Sequence, residues 1–401
     1  MGASLAKKDG ISRIVSDLSA FLKGRLTIIT DRYQPSSTFR VSEESTIIEC
    51  GMLSLKNDVL KYLLPFIFNT VKMVVLLITM AAKSSATRRD LVLNTHTFKA
   101  LIVAAIAKIA LLRPSNVRLI SVIYDLDDFF YFKERFRGIF MLFLLLFLRL
   151  NVVDRIVVLD NRVAKSIGEV IRPIGDKKIS VIRVGVSPSL LKLAEMNNLS
   201  PSQEISQLLR GASGGKIKLF FHAILIPRRR LEDLLYALNL VIKTRKDVIL
   251  FIGGSLKTDT NYTNYIFHLV DKLSLNEYCV FLDQLSETDL AYMYKTIDIF
   301  IFPCANQTWG IAPLEAMVFG KPCIVSTGSG VSEVLTEDLA LLVPPFSPEK
   351  IAEAVLKLIE SEELRNRIGS DARTHVLKSL TFERTVDELV SLFNERVSYS
   401  K

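Results

Sequence analysis

The chain is poor in cysteine, histidine and tryptophan, and it has no long apolar run. Its four cysteines, Cys50, Cys279, Cys304 and Cys323, include no CxxC pair and sit in no Cys/His cluster. That argues against a disulfide scaffold and a structural zinc site, and it fits a reducing compartment. The longest uninterrupted apolar stretch is Ile139 to Leu148, ten residues ending at Arg149. A membrane-crossing helix needs about 20. Leu60 to Ala82 is longer, but Lys61, Pro65, Asn69 and Lys72 interrupt it. The first residues carry Lys7, Lys8, Asp9, Arg13 and Asp17 without an apolar core segment, so no secretion signal is expected. What the chain has in quantity is hydrophobic residues, 49% against 23% charged, which excludes a disordered or low-complexity protein. At 401 residues, two to three domains are expected.

Negative charge is scarce in one half only. Residues 1–200 hold 29 Lys and Arg against 17 Asp and Glu, a net of +12, within a total of +9. The positive excess lies beside the most apolar stretches, Leu60–Ala82 and Phe136–Leu150. Basic plus apolar points to an anionic membrane surface or an anionic acceptor. A solvated basic surface around ordinary core helices accounts for the same composition. No RNA-binding motif accompanies the charge, so a nucleic-acid partner is not expected.

Two stretches alternate strand-like and helix-like patterns, which implies parallel sheets. In the first, strands are read at Leu26–Thr30, Asp90–Asn94, Val117–Tyr124, Arg155–Leu159 and Ile179–Arg183, with helices at 98–112, 136–150 and from Arg162. Residues 201–215, rich in Pro, Ser and Gly, read as a linker. The second alternation has strands at Ile217–Phe221, Val248–Ile252, Val280–Leu282, Ile299–Phe302 and Cys323–Ser326, then two or three helices from Pro348. The fold class expected is α/β: two Rossmann-like parallel-sheet domains facing a cleft, with ligands at the carboxyl ends of the strands. The boundaries expected are 1–200, a linker over 201–215, 216–375, and a crossover helix over 376–401.

Candidate site residues gather after strands. Between Phe302 and Ser326 a loop with Gln307, Trp309 and Gly310 leads into a helix at Pro313, which puts Glu315 in the first turn. An acid there suits the helix dipole and could also take two adjacent hydroxyls. Gly328, Ser329 and Gly330 follow the next strand, where glycines allow close approach and a helix start offers N–H groups to a phosphate. Arg228, Arg229 and Arg230 follow the strand ending near His222, and arginine forks match phosphate oxygens. In the first half, Asp125, Asp127 and Asp128 follow a strand at Tyr124, and His96 follows another. Three carboxylates that close repel one another, so one is expected to have a raised pKa or a basic partner. The same trio invites a metal reading, but no further ligands stand nearby. Trp309 is read as packing its loop, His222 as lining the cleft, and His268 and His375 as structural.

Taken in order, these segments resemble the GT-B glycosyltransferases of family 4, also known as the group 1 family. Thr308-Trp-Gly-Ile-Ala-Pro-Leu-Glu315-Ala-Met-Val-Phe-Gly-Lys-Pro matches the family signature, and Gly330-Val-Ser-Glu333-Val and Leu341-Leu-Val-Pro-Pro345 match family positions. The likeness is strong over about 215–375 and weaker before it. It implies a retaining hexosyltransferase that takes a nucleoside-diphosphate sugar, UDP- or GDP-linked. The acceptor implied is a hydroxyl of a lipid-linked glycan or cell-surface polysaccharide precursor. No cofactor and no metal are implied, and the enzyme would act in the cytoplasm on the inner face of the membrane. Glu315 would bind the donor ribose. Gln307, Gly310, Gly328, Ser329 and Gly330 would line the donor. Arg229 would neutralise the leaving diphosphate, with Arg228 and Arg230 beside it.

The chain departs from the family in four places. Gln307 replaces the first signature Glu, and Ala223-Ile224 replaces the usual Gly-Arg. Asp31 to Arg40 stands where a Gly-rich loop is usual. Tyr124 replaces the His of a His-Asp pair, leaving Asp125, Asp127 and Asp128 as catalytic candidates and His96 and Tyr124 on the acceptor side. These departures keep two other readings open, a catalytically weak donor-binding subunit and a sugar-nucleotide epimerase.

Overall fold

The computed structural model describes residues 178–212 and 214–395. Before them it describes 27–30, 46–49, 74–75, 77–80, 91–95, 98–110, 117–123, 146–147, 149–150 and 152–171. The chain divides into two units, 1–182 with 386–401, and 183–385.

In the first unit, β1 (Thr27–Thr30) and β2 (Thr46–Glu49) pair in parallel. A second sheet holds β3 (Leu91–Thr95), β4 (Val117–Ile123), β5 (Arg155–Val158) and β6 (Ile179–Val181), in that order and all parallel. Parallel neighbours need a crossover, and α1 (Phe98–Ala110) and α2 (Asn161–Ile171) supply two of them. Leu101, Ala104 and Ala105 of α1 share a core with Leu119 and Ile123 of β4. Asp160 caps α2, its Oδ1 accepting from the Val163 amide at 2.7 Å.

Among the described residues of this unit, one ion pair is buried on both sides. Lys108, in the last turn of α1, bonds Asp154, and their side chains are 2% and 1% exposed. Asp154 Oδ2 also accepts from the Leu119 amide at 2.6 Å, so the carboxylate ties α1 to β4. Burying either charge alone would be costly, because desolvation is repaid only by the partner.

The second unit opens with α3 (Pro188–Glu195) and α4 (Gln203–Ala212). Six strands follow: β7 (Ile217–His222), β8 (Val248–Gly253), β9 (Cys279–Asp283), β10 (Ile299–Phe302), β11 (Cys323–Ser326) and β12 (Leu341–Val343). Between them lie α5 (Leu231–Val241), α6 (Thr260–Lys272), α7 (Glu287–Thr296) and α8 (Ala312–Val318). The tail is α9 (Pro348–Glu360), α10 (Glu362–Ser379) and α11 (Phe382–Asn394). All pairings are parallel, and the strand order is β12-β11-β10-β7-β8-β9. All six residues of β8 are buried, as expected of a strand covered on both faces. Local signals set the helix starts: Asp259, Ser286 and Ser361 accept from the amides of Tyr262, Asp289 and Leu364.

The segment read as a linker is largely helical. In α4 the buried Ile205 and Leu209, four apart, face one side of a helix. The surrounding Gln, Ser and Gly residues obscure that spacing. Residues 183–200 also belong with the second unit and not the first. The cause is local: Val186 bridges Thr381 in parallel, and its amide donates to the Leu380 carbonyl at 2.9 Å. The C-terminal boundary falls after Thr385, inside α11, which ends in the first unit, where Glu395 bonds Arg118 and Arg155. The helix read over 136–150 lies mostly outside the described residues.

Asp154→Ala should cost about 3–5 kcal/mol by urea unfolding, because it takes a buried carboxylate away from the buried Lys108 ammonium. Adding Lys108→Met should recover part of that loss; a double variant less stable than Asp154→Ala would refute the account.

Candidate functional site

In the six-stranded sheet of the second unit the strand order reverses between β7 and β10. The chain builds outward from β7 to β9, returns to β10 on the other side of β7, and builds outward again. Loops leaving the carboxyl ends of β7 and β10 therefore diverge, and such a point holds ligands in open α/β sheets. Backbone strain marks the same edge. Among the described residues, five non-glycine ones have left-handed φ: Arg230 at 54°, Ser274 at 54°, Asp283 at 49°, Asn306 at 53° and Phe346 at 57°. All but Ser274 end or follow a strand at its carboxyl end. Each costs roughly 1–2 kcal/mol, and such strain collects at functional sites.

Three loops are stitched together there. After β7 comes a short turn, Pro227–Arg229. The Ala305 amide, from the loop after β10, donates to the Arg228 carbonyl at 3.0 Å. Arg229 Nη1 donates to Gln307 Oε1, joining the same two loops through side chains. Arg229 also bonds the Cys304 thiol, which burial pushes up to about 11 while Arg229 pulls it the other way. The loop after β11 is bound in turn. The Gln307 amide donates to the Gly328 carbonyl at 3.1 Å, and the Gly330 amide donates to the Gln307 carbonyl at 2.9 Å. Gly328 is needed for this approach: a Cβ there would lie 2.9 Å from the Cys304 carbonyl oxygen and 3.1 Å from Ala305 Cα.

Glu315 enters on α8 and is 4% exposed. Gly310 sets the entry to that helix, with φ of 87° and room only for hydrogen, since a Cβ would meet Phe302 at 2.7 Å. Pro313 lies in the first turn. At the other end, Gly320 and Lys321 donate to the carbonyls of Met317 and Ala316, the Schellman pattern. Tyr294 Oη donates to Glu315 Oε2 at 3.1 Å, and its ring is held among Phe220, Phe300 and Phe319. The carboxylate is thus oriented from beneath by a rigid phenol.

The structure places Arg228, Arg229, Gln307, Gly310, Gly328, Ser329 and Gly330 on these linked turns and loops, and Glu315 on the helix that follows one of them. It corrects the expected cradle of open amides. The amides of Gly328, Ser329, Gly330 and Val331 all donate within the protein, and Ser329 Oγ donates to the Ser326 carbonyl at 2.7 Å. Arg230 turns away from its two neighbours toward Glu232 and Asp233. Trp309 packs as expected, 3% exposed, with Nε1 donating to the Val184 carbonyl at 2.8 Å and Arg183 over its ring. His222 ends β7, stacked on Phe220. His96, Tyr124, Asp125, Asp127 and Asp128 lie outside the described residues. Among the described residues no group of three His, Cys, Asp or Glu is placed to hold a metal. Sequence reasoning missed Tyr294, because its only signal is a hydroxyl on a buried helix face.

The model of the family "Glycosyl transferases group 1" matches residues 209–375, the span that carries all three loops. Residues 209–375 belong to the group 1 glycosyltransferase family. A D-inositol 3-phosphate glycosyltransferase of Corynebacterium glutamicum is 30% identical over 132 residues, which is 33% of this chain and 31% of that protein. The capsular polysaccharide biosynthesis glycosyltransferase CapM of Staphylococcus aureus is 24% identical over 237 residues, 53% of this chain and 60% of that protein. The matched segments thus span less than two thirds of either relative. Anabaena HepE, solved with UDP and glucose, covers 98% of both chains with a TM-score of 0.73 at 17% identity, a likeness of fold. The parallel four- and six-stranded sheets share the GT-B fold of that structure.

Gly328→Ala should destabilise the second unit by about 1–3 kcal/mol, because the new methyl meets backbone atoms that cannot yield as a side chain would. Thermal unfolding should show the transition several degrees lower; an unchanged midpoint would mean the loops separate freely.

Proposed function

We propose that this chain is a retaining hexosyltransferase that takes a UDP- or GDP-linked sugar and delivers the sugar to an acceptor hydroxyl. One observation carries the reading: Arg229 stands on the loop after β7 and Glu315 on α8, which the loop after β10 leads into, and those two loops are tied together through Gln307. A carboxylate oriented by Tyr294 suits the two hydroxyls of a ribose. A guanidinium on the facing loop suits a diphosphate, whose charge grows as the sugar departs. The UDP and glucose of HepE support the donor class. The reaction asks for no metal in this reading, and the leaving diphosphate takes the acceptor proton.

The acceptor we propose is a lipid-linked glycan or a precursor of a surface polysaccharide, reached on the inner face of a membrane. The capsular role of CapM supports it. So do the basic excess of residues 1–200 and the exposed Val75, Ile106, Ile109, Leu146 and Leu150 of the first unit. No helix of the described residues is long and apolar enough to cross a membrane, so contact would be shallow. A second reading, a donor-binding subunit with weak catalysis, draws on Gln307, whose uncharged amide engages Arg229 where the family has a carboxylate. Turnover of any donor on a lipid acceptor decides against it.

Glu315→Ala should weaken UDP or GDP binding by about 2–4 kcal/mol in calorimetry while the protein stays folded, and unchanged affinity would remove Glu315 from the site. Arg229→Ala should lower kcat more than it raises KM, because leaving-group charge is greatest in the transition state. Equal turnover would pass that role to Arg228. For the membrane, the protein should float with anionic liposomes at low salt and be released by high salt, each basic residue contributing about 1 kcal/mol. A protein that stays at the bottom of the gradient while anionic liposomes float at low salt would refute surface binding.

A further inference from the structure

The three arginines after β7 do different work. Arg230 has a left-handed backbone, where an L side chain is disfavoured and glycine is at ease. Its own backbone makes the turn: the amide donates to the Pro227 carbonyl at 3.0 Å, and its carbonyl accepts from the Asp233 amide at 3.1 Å. The side chain is fully committed locally. Nε and Nη2 donate to the two Asp233 oxygens at 2.9 and 2.8 Å, and Nη1 faces Glu232 Oε1 at 2.6 Å. Both carboxylates are buried in the first turn of α5. Tyr262 fixes Glu232 in turn, donating to its Oε2 while accepting from the Leu231 amide. Over the guanidinium, 4.6 Å away, lies the ring of Phe346, itself left-handed and 58% exposed. Two strained residues from separate loops thus stack on each other, and each of Arg230's three nitrogens already meets a carboxylate.

We propose that Arg230 is a positioning residue: its clamped side chain holds the left-handed turn that directs Arg229 toward a nucleoside diphosphate, and it does not touch the phosphates itself. The inference rests on the donor site proposed above. Physically, the ion pairs and the stacked ring offset the strain at φ of 54°. Without them, a residue bearing a Cβ relaxes toward the right-handed region and carries Arg229 with it. Glycine needs no clamp to stay there.

That difference gives the test, made on the full chain with UDP and GDP and using whichever the unsubstituted protein binds. Arg230→Ala should lose about tenfold or more in diphosphate affinity by calorimetry. Arg230→Gly removes the same side chain and leaves the same carboxylates, yet should stay within about threefold of the unsubstituted protein. Affinity for the matching nucleoside, read by saturation-transfer NMR, should not change in either. Equal losses in the Ala and Gly variants would show a direct phosphate contact and overturn the proposal. No loss in either would overturn it as well, and so would a parallel loss of nucleoside affinity, which marks general disruption of the unit. Failure of the unsubstituted protein to bind either nucleotide would instead overturn the donor site itself.

Discussion

The reversal of strand order between β7 and β10 is the constraint on which the site depends. Every other loop at the carboxyl edge has a neighbour that runs on in the same direction. These two diverge, and their side chains and backbone must hold the gap in shape. The protein does so with few parts: one backbone hydrogen bond from Ala305 to Arg228, one side-chain bond from Arg229 to Gln307, and a pair of amide bonds that lock Gln307 to the loop of Gly328. Gln307 takes part in two of these ties, its backbone meeting Gly328 and Gly330 and its side-chain oxygen meeting Arg229, so a charge on the side chain would change the second directly.

Much of this was legible in the sequence, for physical reasons. A strand such as Val248–Gly253 is a continuous apolar run because both faces are covered, and such a run announces itself. Glu315 was legible because Pro313 and the glycines on either side punctuate α8. The linker was misread because α4 shows only two buried anchors amid polar residues. The open amide cradle was misread for another reason. A glycine-rich turn states that backbone comes close, but not to what, and here the backbone it meets is the protein's own. Arg230 is the same kind of case, since three adjacent arginines look alike until the turn sends one of them the other way.

The electrostatics of the two units differ in kind. In the first, the buried pair Lys108–Asp154 is sealed from water and serves to register a helix on a strand. In the second, charge sits at the sheet edge and is partly shared with carboxylates of α5. The ionic groups of α5 are taken up by Arg230, which turns toward them and away from Arg228 and Arg229.

The chain enters the second unit through residues 183–186 and leaves it through 380–385, and those two segments are hydrogen-bonded side by side. Thr385 Oγ1 donates to the Arg183 carbonyl and accepts from the Gly185 amide, each at 2.9 Å, and Gly185 has no room for a Cβ against Thr381. A unit whose two ends meet is topologically a closed loop. Cutting it out leaves no frayed strand, and joining its ends while opening an exposed loop elsewhere would keep all six strands in register. In evolutionary terms, such a module can be exchanged between chains at one meeting point, provided that α11, which crosses the boundary at Thr385, is matched as well.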